Sequence, residues 1–217
     1  MLDADRPRPG WGPAALIGVL LTLGPALAPA TIEEQRSRLP PPAFECGDDP
    51  IVGIWLAHVY YEHVGQWYVF ELNVERDPDG EGLLRGTIRA EFWTGSVGRP
   101  QPPLCDEPGN RSAVFEQAKG RADGLALSFD AVEWRDLEIC GPLRGAYLLD
   151  HFSGTVELER MEFQSLLNAD APEWRDVPTV FRRVRCGAAP ERELTPRIIV
   201  EPPPYQPPER EGCGLRD

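Results

Sequence analysis

The 217-residue chain reads as all-β, with about eight strands in a single antiparallel barrel or, as second choice, a β-sandwich. Three observations predict this. Between Cys46 and Cys186 the chain breaks into short runs rich in β-branched and aromatic residues, several of them alternating apolar with polar. Turn residues separate most of the runs. No segment sustains a 3.6-residue apolar period for longer than about ten residues.

The runs can be placed in order. Residues 51–62 alternate and open the core. Residues 67–76 and 83–93 flank Asp77-Pro78-Asp79-Gly80, a turn sequence in which Pro presets φ and Gly admits a left-handed backbone, so they should form a hairpin. Residues 95–112 are rich in Gly and Pro and read as a long loop holding Cys105. Further runs cover 113–119, 124–133, 144–151, 153–163 and 177–185. Their turn signals are Asp123-Gly124, Gly141-Pro142, Ser153-Gly154 and the stretch 168–172. Residues 162–168 are the one candidate for a short helix. A barrel with its ends tied together would remove exposed strand edges.

Around this core the chain divides into four parts. Residues 1–30 carry the apolar run 14–23, broken by Gly24-Pro25 and followed by Ala28-Pro29-Ala30. That small-x-small triplet fits a signal-peptidase site with Thr31 first in the mature chain, and the run is shorter than the roughly 20 apolar residues of a membrane span. Arg6 and Arg8 are balanced by Asp3 and Asp5, so the usual positive leader is missing and an uncleaved N-terminal anchor stays open as the alternative. Residues 31–45 read as an extended Pro-rich linker, 46–186 as the barrel-like domain, and 187–217 as a Pro-rich disordered tail. Export places the protein in the periplasm or outside the cell. Basic charge is carried by Arg, with Lys119 the sole lysine, a coding bias that suits a GC-rich bacterial genome.

Five cysteines in an exported chain imply disulfides, and the preferred pairs are Cys46–Cys186 and Cys105–Cys140. Cys213 is then left unpaired or free to link two chains, or it displaces Cys186 as the partner of Cys46. The spacings match no zinc pattern, and no cofactor or metal is expected. A net charge of −13 argues against nucleic-acid binding. Arg182, Arg183 and Arg185 form the one basic cluster, at the end of a strand run where local ion pairs are expected.

Gly53-Ile54-Trp55 opens the first run. Here the chain resembles the lipocalin-like (calycin) proteins, whose first strand carries Gly-x-Trp. The resemblance implies an up-and-down barrel with a hydrophobic ligand cavity. It also implies that Gly53 and Trp55 are structural, with Trp55 closing one end of the barrel against an Arg near the last strand, for which Arg183 and its neighbours are available. Three residues carry the resemblance, and no helix is evident before the last strand.

Little chemistry is legible. His58, His63 and His151 are the only histidines, and adjacent Asp150 and His151 would face opposite sides of a strand. No serine lies in a nucleophile context and no pair of carboxylates stands out, so no catalytic residue is named. Glu133-Trp134-Arg135-Asp136 recurs as Glu173-Trp174-Arg175-Asp176, either by coincidence or as two loop-end tryptophans at one rim. Aromatic residues give the binding candidates: Trp67, Tyr68, Phe70, Phe92 and Trp93, on neighbouring strands, could line a pocket or simply fill the core. The first functional reading is thus a non-enzymatic binding protein for a small apolar or amphipathic ligand. The second is a structural or interaction module of the bacterial cell envelope, with an envelope protein as partner. A hydrolase is the third.

Overall fold

A computed structural model describes residues 31–187. Within them the chain is nearly all-β, and its strands close into one antiparallel eight-stranded barrel in simple chain order. The strands are β1 (Gly53–Tyr61), β2 (Gln66–Arg76), β3 (Leu83–Thr94), β4 (Ser112–Asp123), β5 (Ala126–Asp136), β6 (His151–Glu157), β7 (Glu162–Asn168) and β8 (Val177–Arg185). Strand alternation sends one face of each inward. Leu72, Phe70, Ile88, Phe129, Phe152, Phe163 and Phe181 fill the interior and are fully buried. Phenyl rings touch edge-to-face across it, as in Phe152 and Phe181 with centroids 4.8 Å apart.

The two ends of the barrel differ. Turns 77–82, 124–125 and 158–161 are short and lie at the end where the chain enters β1 and leaves β8. Segments 95–111, 137–150 and 169–176 are long and cluster at the other end, the mouth. Cys46–Cys186 ties the chain entry to its exit, and Cys105–Cys140 ties 95–111 to 137–150. The four cysteines within the described residues thus pair inside the chain, as the sequence suggested. Cys213, the signal segment 1–30 and the tail 188–217 lie outside the described residues.

The elements depart from the sequence expectation at four points. Residues 144–151 were expected to be a strand, but 137–150 cross the mouth as an irregular strap and β6 begins only at His151. The expected single run 153–163 is the end of β6, a turn and the start of β7, and the candidate helix 162–168 is β7 itself. Ser153-Gly154 is not a turn. Gly154 faces inward where β6 and β7 press together, and a Cβ there would collide with the Gln164 carbonyl. Count survives these changes because one strand was lost and one gained.

Residues 31–45 are not simply an extended linker. Thr31 and Glu34 form a capping box that starts α1 (Ile32–Ser37). This helix docks where the barrel closes. β1 and β8 pair only from Ile54↔Arg185 to Leu56↔Arg182. Beyond that point the Gln35 side chain takes the place of a strand: its Nε2 donates to the Pro178 carbonyl at 3.0 Å and its Oε1 accepts from the Val180 N–H at 2.9 Å. Arg36 and Arg182 clasp the fully buried Glu162 at 2.8 and 2.6 Å, fixing α1 to β7 and β8. A hollow of about 160 Å³ remains under the helix, walled by Ile32, Val59, Tyr60 and Val177.

Candidate functional site at the barrel mouth

At the narrow end, Trp55 and Arg183 form a closed floor. Gly53 has φ +140°, and a Cβ there would stand 2.7 Å from the Arg185 carbonyl oxygen, so glycine is needed for the close approach of β1 and β8. Trp55 is fully buried and donates its indole N–H to the Ile51 carbonyl at 2.9 Å. The Arg183 guanidinium lies 5.9 Å from the Trp55 ring centre and donates to the carbonyls of Ala43 and Asp49 at 3.1 Å each. Its neighbours serve as local ion pairs, Arg182 with Glu162 and Arg185 with Glu71 at 3.8 Å.

The five aromatic candidates divide by the pleat. Tyr68, Phe70 and Phe92 face the interior, with Tyr68 stacked on Phe70 and on Phe92 at 5.4 and 5.2 Å. Trp67 and Trp93 alternate with them and so face outward, where they stack at 6.4 Å. They are buried all the same. The Arg38 guanidinium covers the Trp67 ring at 4.7 Å, His58 packs against both indoles, and Trp67 donates to the Ser96 carbonyl at 2.9 Å. One wall of the barrel separates the two groups.

The mouth joins the sequence candidates Tyr68 and Phe92 to Tyr61 and Tyr147, which the sequence did not single out. Tyr61, Tyr68 and Phe92 line it from within. Trp174 caps it, edge-on to Tyr61 at 5.0 Å and to Tyr68 at 5.6 Å. Tyr147, on the strap, stacks on Phe92 at 5.5 Å and meets Trp134 at 5.9 Å. Both tryptophans of the repeated tetrapeptide therefore stand at this rim. A bulge in β5 near Val132 turns Trp134 toward the strap.

Beneath the rings lies a pair of buried carboxyls. Glu116, on β4, is fully buried, and its Oε2 receives no donor among the described residues. Its Oε1 accepts from the Asp150 backbone N–H at 3.3 Å. Asp150 ends the strap, is 5% exposed, and accepts the Tyr147 hydroxyl at 2.7 Å. Burial raises Glu116 well above the ordinary carboxylate range, and the Asp150 charge adds to it. Burial raises Asp150 as well, though the Tyr147 hydroxyl opposes this. Two carboxyls so close cannot both ionise cheaply, so the pair retains one proton through neutrality. Burial also lifts the Tyr61, Tyr68 and Tyr147 hydroxyls, with the Asp150 charge contributing to each.

The histidines lie apart. His58 is under Arg38, His63 sits against Trp174 at 4.8 Å, and His151 faces outward 3.3 Å from Asp130. No group of three metal-ligating side chains is found among the described residues.

Glu116 had a legible signal. It shares the face of Val114 and Ala118, both inward and apolar, so alternation alone marks it as a buried acid. Asp150 shares a face with Phe152 in the same way, whereas the reach of Tyr147 depends on the path of an irregular strap and left no pattern. No family model, curated protein or solved structure matches the chain. The eight-stranded antiparallel barrel is compatible with a lipocalin-like fold.

Proposed function

We propose that the protein is an exported, non-enzymatic carrier for a small apolar or amphipathic ligand, taken up at the mouth of a lipocalin-like barrel. One observation carries the reading. The mouth is closed by the strap 137–150 and by the single 3-10 turn Pro172–Trp174, not by strands, over aromatic side chains and a buried carboxyl pair. Among the described residues, 144–149 make no backbone hydrogen bond, so the strap can leave without breaking a ladder. Buried acids of this kind weaken a fold and concentrate at working sites. The Trp55–Arg183 floor supports the lipocalin-like part of the reading, and two disulfides support export.

The test is native mass spectrometry of the mature protein purified from its own host, with tryptophan-fluorescence titration of the stripped protein by an apolar dye. A small-molecule adduct and saturable quenching are expected. A bare barrel that no apolar probe quenches would overturn the carrier reading.

A second reading, an interaction module of the cell envelope, is favoured by the ring-filled interior below the mouth, where Phe129, Phe152, Phe163 and Phe181 leave their side chains no exposure. Its partner would dock on the Pro-rich flanks, and Cys213 would be available for a link between chains. Deleting 188–217 separates the two: loss of an envelope partner with ligand uptake intact supports this reading for the tail and the first for the barrel.

A further inference from the structure

We infer that the mouth is a site for a cationic aromatic amine, at present filled by the protein's own Tyr147. The inference rests on the carrier reading and narrows it to a ligand class.

Tyr147 behaves as a ligand would. It enters from an irregular strap, lays its ring on Phe92, and ends in a donor that meets Asp150 at 2.7 Å. The arrangement therefore suits a flat ring carrying a hydrogen-bond donor on a short tether. The phenol is an incomplete occupant, because it supplies one neutral donor to two carboxyls. Apart from the proton that the two carboxyls share, no donor reaches the buried Glu116 Oε2. A primary ammonium supplies three donors and a positive charge in the same place. It could meet Asp150 and Glu116 together, and the charge shared by the pair would be balanced instead of buried alone.

The surrounding groups point the same way. Tyr68, Phe92 and Trp174 present π-faces and edges, which attract a cation most strongly in a dry site. Among the described residues no arginine or lysine forms an ion pair with Glu116 or Asp150; His151, next to Asp150 in the chain, faces the outer wall 3.3 Å from Asp130 and acts on Asp150 only through its charge. A carboxylate ligand would be repelled, and a neutral ring would leave Glu116 as it is. The overall charge of −13 would also enrich cations near the protein.

Isothermal titration of the mature protein with three indole compounds tests this: tryptamine, its neutral alcohol analogue tryptophol, and indole-3-acetate. Tryptamine should bind about tenfold or more tightly than tryptophol, and indole-3-acetate should not bind. Glu116→Gln and Asp150→Asn should each remove most of that preference, with thermal melts confirming that the variants fold. Tyr147→Ala, which empties the site, should raise tryptamine affinity several-fold. Lowering the pH toward about 4 should weaken tryptamine binding as the pair becomes neutral. Equal binding of tryptamine and tryptophol would overturn the amine assignment and leave the carrier reading standing. If Tyr147→Ala binds none of the three and no apolar dye, both fall.

Discussion

The two ends of this barrel are built from the same eight strands and treat buried polar groups in opposite ways. At the floor, the Arg183 guanidinium is taken out of water and given two carbonyls and an indole face. At the mouth, Glu116 is equally buried, and its Oε2 has no donor beyond the proton it shares with Asp150. The floor is tied by Cys46–Cys186, which joins the two ends of the barrel chain, whereas Cys105–Cys140 joins only one mouth segment to another. The difference separates a region shaped for stability from one that gives stability up. Buried polar groups left partly unpaired are costly, and folds keep them where something else is gained.

Breaking the floor should therefore cost the most. Replacing Cys46 and Cys186 by Ser removes a bridge across 140 residues of chain, and the chain-entropy model puts the loss near 5 kcal/mol. Denaturant melts of the variant and the parent protein would measure it, and a loss under about 1 kcal/mol would show that the floor holds without its tie. Trp55→Ala comes next, at about 4 kcal/mol, since it empties a fully buried site beneath Arg183 and strands the Ile51 carbonyl.

The mouth should respond with the opposite sign. Both carboxyls are raised above their unfolded values near 4, so the native state holds protons that the unfolded chain has released. The stability from this pair is complete below about pH 4 and is lost as pH rises through neutrality. Glu116→Gln keeps the shape and removes the coupling. Between pH 5 and pH 8 the variant should lose about 3 to 4 kcal/mol less than the parent protein, about 1.4 kcal/mol for each pH unit over which the pair keeps its proton. At pH 8 it should be the more stable of the two. Parallel pH profiles would mean that the pair is already relaxed in solution.

The smallest of these effects should come from the seam. Gln35→Ala leaves the buried Val180 N–H and the Pro178 carbonyl without their partner, at about 1 to 2 kcal/mol by thermal or denaturant melting. Hydrogen exchange at Val180 is the sharper measurement, because that one amide should lose protection while the β1–β2 ladder keeps its own.

Much of the barrel could be read from residue types, and the exceptions have physical causes. β1 to β5 and β8 announce themselves by alternation, because each has one face against the rings and one toward solvent. The turn between β6 and β7, Leu158 to Met161, contains neither Gly nor Pro. It places Met161 in the left-handed region at φ +49°, so turn residues gave no warning of it. Gly154 gave a false warning, since its smallness serves the contact between strands. α1 was legible from Thr31 and Glu34, spaced as a capping box, but the prolines that follow drew the reading toward a linker. Trp67 and Trp93 look like pocket residues by type, and the pleat puts them on the outer wall. Glu116 could be found by parity, whereas its partner Tyr147 could not, because only the folded strap carries it to Asp150.

One bond across the seam also bears on the order of assembly. Gln35 leaves the ribosome before any strand, yet its amide meets Val180 across 145 residues of sequence. Neither β1 nor β8 can be finished along its upper half until both have been made and the first turn of chain has folded back between them. Until then the nascent molecule carries two open ladders facing each other, the arrangement from which strand-swapped pairs of molecules grow. A chain trimmed to its strands would keep those ladders open for good. The hydrophilic, capped helix that looks like an appendage is thus the latch that keeps neighbouring copies from completing one another.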